Sequence, residues 1–97
     1  MRISFSEEAQ LDLDHASDWY LAEQAPEAAE RLANELSRAL SLLEGFPKLG
    51  VESTSGTRVL TLRRFPYSLI YRLHKGKLRV IAVAHHSRRP AYWAGRR

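Results

Sequence analysis

The chain has 97 residues, 44% of them hydrophobic and 27% charged, with a formal net charge of +4. That length fits one domain over residues 1–97 that can bury a modest core. Having no cysteine excludes disulfides and cysteine-based zinc sites. No apolar run is long enough to span a bilayer and no signal-peptide pattern opens the chain, so the expectation is a cytoplasmic protein that does not engage membrane.

The net charge conceals a division. Residues 1–52 hold all 11 acids and four bases, a net −7, whereas residues 53–97 hold eleven bases and no acid, a net +11. Such asymmetry points to a nucleic-acid surface or an acidic protein partner. Neutralisation of a basic sheet by acidic helices within one fold accounts for part of it.

In chain order, Ile3 and Phe5 alternate with Arg2 and Ser4, which predicts a short strand. Ser6 is a good N-cap, and Glu7 and Glu8 suit the positive end of a helix. Ala9, Leu13, Ala16 and Tyr20 then mark one apolar helical face, with Asp12, Asp14 and Asp18 expected on the solvated side. Pro26 ends this helix near Gln24 and opens a second one. Ala29, Leu32, Ala33, Leu36, Leu40 and Leu43 follow at helical spacing. Gly45 reads as a left-handed stop before Pro47. The short connection implies an antiparallel helical hairpin.

Residues 46–56 read as a loop and Arg58–Arg63 as a strand. Two β-rich runs, residues 67–73 and 78–84, flank Lys75-Gly76, a two-residue hairpin turn. That turn predicts one face holding Tyr67/Ala84, Leu69/Ala82, Tyr71/Val80 and Leu73/Leu78 against the helices. The other face holds Ser68/Val83, Ile70/Ile81 and Arg72/Arg79. Arginines directly opposite one another repel unless an anion or a partner lies there. On this register His85 belongs to the exposed basic face, and His86 points toward the helices. The whole is α+β, in the order β-α-α-β-β-β. An N-terminal strand and a helical hairpin pack on one face of a mainly antiparallel twisted sheet.

The candidate chemistry lies in residues 85–92. Adjacent strand histidines point to opposite faces, so His85 and His86 do not make a metal site, and no metal or cofactor is expected. Metal-free RNA cleavage needs a proton shuttle, a donor for the phosphorane charge and a group that orients a base. His85, Arg88 and Tyr92, with Arg63, supply those side-chain types. Arg58, Arg64, Arg72, Arg79 and Arg89 extend the anion-binding surface. The rival reading is a basic end that holds phosphate without catalysis.

The element order, the FPKLG after the helices, the RVLTLRRFPYSLIYR entry and the AVAHHSRRPAYW ending together resemble the RelE/ParE superfamily of bacterial type II toxins, over nearly the whole chain. The resemblance implies a cognate antitoxin as partner. It also implies one of two targets: the expectation is growth arrest by cutting mRNA in the ribosomal A site without a metal, and the alternative is DNA gyrase, poisoned without nuclease activity. The nuclease branch implies phosphate-binding bases at Arg58, Arg63 and Arg72 and a terminal group at His85, Arg88 and Tyr92. This sequence departs from that branch: it lacks the paired lysines of some members and has no glutamate after Glu52. The RRPAYW ending departs from the best-known gyrase poisons. A non-toxic nucleic-acid-binding module is the remaining alternative.

Overall fold

The computed structural model describes residues 1–97. Its elements are β1 (Arg2–Phe5), α1 (Glu7–Ala22), α2 (Pro26–Gly45), β2 (Val51–Glu52), β3 (Arg58–Thr61), β4 (Tyr67–His74) and β5 (Lys77–His85). The five strands form one sheet in the order β1–β5–β4–β3–β2. β1 runs parallel to β5, and every other pairing is antiparallel. The predicted order therefore stands, with one addition. The loop after α2 contains a two-residue strand and a 3-10 turn at Thr54–Gly56.

The helix signals act as expected at three of four ends. Ser6 Oγ accepts from the Ala9 N–H at 3.0 Å, satisfying one of the orphan donors of the first turn. α1 stops at Ala22, and Gln24 takes φ 57 in the turn. Pro26 opens α2. Gly45 differs from expectation. It is the last helical residue, not a left-handed one, and the cap is Phe46 with φ −137. Pro47 then prevents continuation.

Ala9, Ala16, Leu32, Ala39 and Leu43 bury completely or nearly so against Tyr71, Leu69, Leu78 and Val80 of the sheet. Leu13, Tyr20, Leu36 and Leu40 flank this core. Ala33 is exposed, so the apolar stripe of α2 is narrower than its sequence suggests. The phenol of Tyr71 crosses the core and donates to Pro47 O at 2.7 Å while accepting from Gly50 N at 2.9 Å. That contact fixes the FPKLG loop. Burial raises the Tyr71 pKa, against smaller opposing effects of Gly50 N–H and Arg58.

Lys75 and Gly76 both take positive φ, 49° and 75°, as a twist-compatible hairpin turn requires. The predicted register holds from His74/Lys77 to Tyr71/Val80 and then slips at a bulge, beyond which Ile70 faces Ala82, Leu69 faces Val83 and Tyr67 faces His85. A bulge places one extra residue in one strand, which exchanges the faces after it. Val83 consequently joins the helix-side core, while Ala82 and Ala84 join Ile70 and Ile81 on the far side. The assignments of His85 and His86 are reversed. His85 is half-buried on the helix side against Tyr67, and His86 is exposed beside Ser68.

The far face is also less open than the sequence implies. Tyr92 and Trp93 lie over the Ile70–Ile81–Ala82–Ala84 cluster. β1 pairs with β5 only as far as Val80, so the edge of β5 beyond that point lacks a strand. Asp12 and Arg96 cover it. Asp12 Oδ2 accepts from Val83 N at 3.0 Å, and Arg96 donates to Ile81 O at 3.1 Å. Asp12 is thus not a solvated helix-face acid, its side chain being 12% exposed.

Candidate functional site

The bulge and the helix stripe build a cavity of about 200 Å³ at the end of β5, whose lining includes Asp12, His15, Trp19, His85, Arg88 and Tyr92. Asp12, His15 and Trp19 sit at i, i+3 and i+7 on α1, one continuous stripe. His85 stands edge-on to Tyr67, ring centroids 5.0 Å apart at 89°. Its Nδ1 accepts the Ser87 backbone N–H at 3.0 Å and lies 2.7 Å from Ser87 Oγ. A ring nitrogen that accepts cannot carry the proton, so in the neutral imidazole the proton is on Nε2. Neutral His85 therefore presents a donor at its remaining nitrogen.

Two arginines pack on Tyr92. The Arg88 guanidinium lies 4.1 Å from its ring centroid and that of Arg96 lies 5.1 Å away. Its hydroxyl reaches Asp12 Oδ2 at 3.4 Å. Burial pushes the Tyr92 phenol above its ordinary pKa, and the Asp12 carboxylate adds to that, against smaller opposing effects of Arg96 and Arg88. Arg96 in turn pairs with Asp12 at 2.7 Å and approaches Glu8 at 3.7 Å. His85, Arg88 and Tyr92 are thus brought together.

Arg63 is not with them. It lines a separate cleft of about 610 Å³ with Arg31, Glu35, Arg38, Arg64 and Phe65. Glu35 organises that cleft, bonding Arg38 through two 2.6 Å contacts and accepting from Arg63 N at 2.6 Å. The Arg38 hydrogen bond is the main cause of the lowered Glu35 pKa, outweighing its burial. Arg64, at φ 63, turns the chain beside it.

The remaining arginines divide by partner. Arg58 stitches the FPKLG loop, donating to Gly50 O at 2.9 Å and Lys48 O at 3.2 Å and pairing with Glu52 at 3.1 Å. Arg72 and Arg79 do face each other across β4 and β5. Arg89 is exposed. No group of three His, Asp or Glu side chains is placed to hold a metal ion, and no helix is long and apolar enough to cross a membrane.

Sequence reasoning missed Asp12, His15 and Trp19 in the cavity, and Arg96, which pairs with Asp12 beside it. The Asp12–His15–Trp19 spacing was a usable signal. Arg96 had none, because its partner lies 84 residues away.

An N-terminal strand, a helical hairpin and a mixed five-stranded sheet, closed by a basic C-terminal tail, define the architecture of the RelE/ParE toxin superfamily. A family model described as the ParE toxin of the type II toxin-antitoxin system parDE matches residues 3–90. The chain belongs to that family. A solved structure described as a chromosomal ParDE toxin-antitoxin system from P. aeruginosa superposes with a TM-score of 0.75 at 24% identity, over 88% of this chain and 95% of that one. No curated protein sequence matches the chain.

Proposed function

We propose that this toxin acts in the cytoplasm as a DNA gyrase poison, without nuclease activity, and is neutralised by a cognate antitoxin. Family membership supplies the starting point. The observation that carries the choice of target is the hydrogen bonding of His85. With Nδ1 already accepting from Ser87, neutral His85 has no free lone pair to take a proton from a 2′-hydroxyl. Nearby, the Tyr92 hydroxyl is directed to Asp12, and Arg63 stands in another cleft. What remains is a partly aromatic surface suited to binding.

Ribosome-dependent mRNA cleavage is the second reading. The shared cavity of His85 and Arg88 favours it. Under that reading His85 moves the proton, Arg88 and Arg63 stabilise phosphate charge, and Tyr92 orients a base.

Induction in cells, followed by primer extension on mRNA and a gyrase cleavage assay, separates the two. The gyrase reading requires stabilised DNA breaks, intact mRNA and retained toxicity in His85→Gln. Cut mRNA without DNA breaks, abolished by His85→Gln, defeats it. Absence of growth arrest defeats both and leaves a non-toxic binding module.

A further inference from the structure

The sheet face turned away from the helices gathers Arg72 and Arg79 with further charges, Arg2, His74 and Lys77, that neither reading above uses. Ile3, Phe5, Tyr71, Leu73, Leu78 and Val80 pack toward the helices. Strand alternation therefore turns Arg2, Ser4, Arg72, His74, Lys77 and Arg79 to the other side. The register sets them in two rows across three strands. Arg2, Lys77 and His74 form one row, and Ser4, Arg79 and Arg72 form the next. They border a cleft of about 460 Å³ in which Ile3 is the single apolar residue and no acid takes part.

None of these bases is paired with an acidic side chain; the chain's side-chain salt bridges all lie elsewhere. Arg72 donates to the main-chain oxygens of Ser55 and, at 3.3 Å, Arg96. Arg79 donates to the main-chain oxygen of Arg97 at 3.3 Å and lies 3.5 Å from Ser4 Oγ. These contacts hold the two guanidiniums in place, directly opposite each other, with no carboxylate side chain against either. Opposed like charges cost the sheet stability, and an anion laid across them reverses that cost.

We propose that this two-row plate binds the phosphodiester backbone of nucleic acid. Its fixed arginine donors suit phosphate oxygens. Its one ring is the His74 imidazole, and it has no Tyr, Phe or Trp platform for successive bases. It has no apolar pocket for the buried side chains that a protein partner brings. Recognition is of backbone, independent of base sequence and steeply dependent on salt. The inference goes beyond the gyrase reading and does not rest on it.

The test measures fluorescence anisotropy of labelled duplex DNA and duplex RNA with the purified full chain over a salt series, with no gyrase present. Arg2→Gln/Lys77→Gln/Arg79→Gln changes three exposed residues. It is expected to weaken binding by roughly tenfold or more and to make the log–log salt slope shallower by about 2.7. Lys77→Gln alone gives about a third of that change in slope, which keeps the test open if the triple variant folds poorly. Arg31→Gln/Lys48→Gln, two exposed bases away from the plate, leaves the slope unchanged. The duplex that binds more tightly identifies the source of the phosphodiester. Four outcomes would overturn the proposal. These are no binding of either duplex, a Lys77→Gln slope like that of the unmodified chain, an equal loss per charge in the control, or competition by polyglutamate as strong as by duplex.

Discussion

Asp12 on α1 and Arg96 in the C-terminal tail form a 2.7 Å ion pair across 84 residues of sequence. Their side chains are 12% and 17% exposed. The pair stands where a longer β1 would continue along β5, satisfying the Val83 N–H and the Ile81 carbonyl. An open sheet edge is a template for unwanted pairing, and here an acid from one end of the chain and a base from the other close it.

Removing one member of a largely buried pair leaves the other without compensation. Asp12→Ala also strips the Val83 N–H of its acceptor. We expect it to lower stability by about 3 kcal/mol. Arg96→Met costs less, because Asp12 keeps Val83 N–H and the Tyr92 hydroxyl. Urea unfolding with unchanged m-values reads both effects. Equal losses in the two variants would remove the edge-capping role assigned to Asp12.

Glu35 gives the fold a pH dependence of defined sign. Its pKa in the folded chain lies below the ordinary 4.5, chiefly through the Arg38 hydrogen bond. A depressed carboxylate contributes stability that is fully present above the unfolded value. That contribution is lost as pH falls through the folded value. Stability should therefore decline from about pH 4.5 downward, and Glu35→Gln should flatten that segment while leaving the curve above pH 6 parallel. A Glu35→Gln profile as steep as the parent's at low pH would assign the effect to other carboxylates.

The Gly50–Tyr71 contact leaves no room for a side chain. A Cβ on Gly50 would sit 2.7 Å from the Tyr71 hydroxyl oxygen. Gly50→Ala should cost about 2 kcal/mol and Tyr71→Phe about 1–3 kcal/mol, the latter by orphaning Gly50 N–H. The double variant should cost somewhat less than the two together, since Phe removes the nearest atom the new methyl strikes, although the ring Cε1 at 2.8 Å and Val59 O at 3.0 Å remain. Strict additivity in chemical denaturation would contradict this.

At the β4–β5 turn, Lys75 holds φ 49 without being glycine. Asn tolerates that conformation better than Lys, so Lys75→Asn should stabilise by about 0.5 kcal/mol. Gly76→Ala, at φ 75, should destabilise by about 1–2 kcal/mol. Thermal midpoints would move in opposite directions, and two shifts of the same sign would exclude this account of the turn.

These relationships explain what the sequence could reveal. Ser6, Pro26 and Lys75-Gly76 act through their own backbone, and each was legible locally. The strand faces were legible as far as Tyr71/Val80, where turn geometry alone sets the register. Beyond it the bulge adds a residue with no turn-type signature in Ile81-Ala82, and the positions of His85 and His86 exchanged. The half-burial of Asp12 was hidden for a different reason. An acid on a helix face is ordinarily solvated, and only the folded tail brings Arg96 to it.

The parallel pairing of β1 with β5 also imposes an order in time. Arg2–Phe5 leaves the ribosome first but has no partner until Lys77–Val80 has been made. Asp12 waits longer, for Arg96. Contacts so distant along the chain carry a large closure entropy and form late. Most of the chain must therefore be synthesised before the sheet can be completed. A nascent toxin has an interval, set by translation itself, in which β1 and the unclosed edge of β5 are free for another segment to occupy.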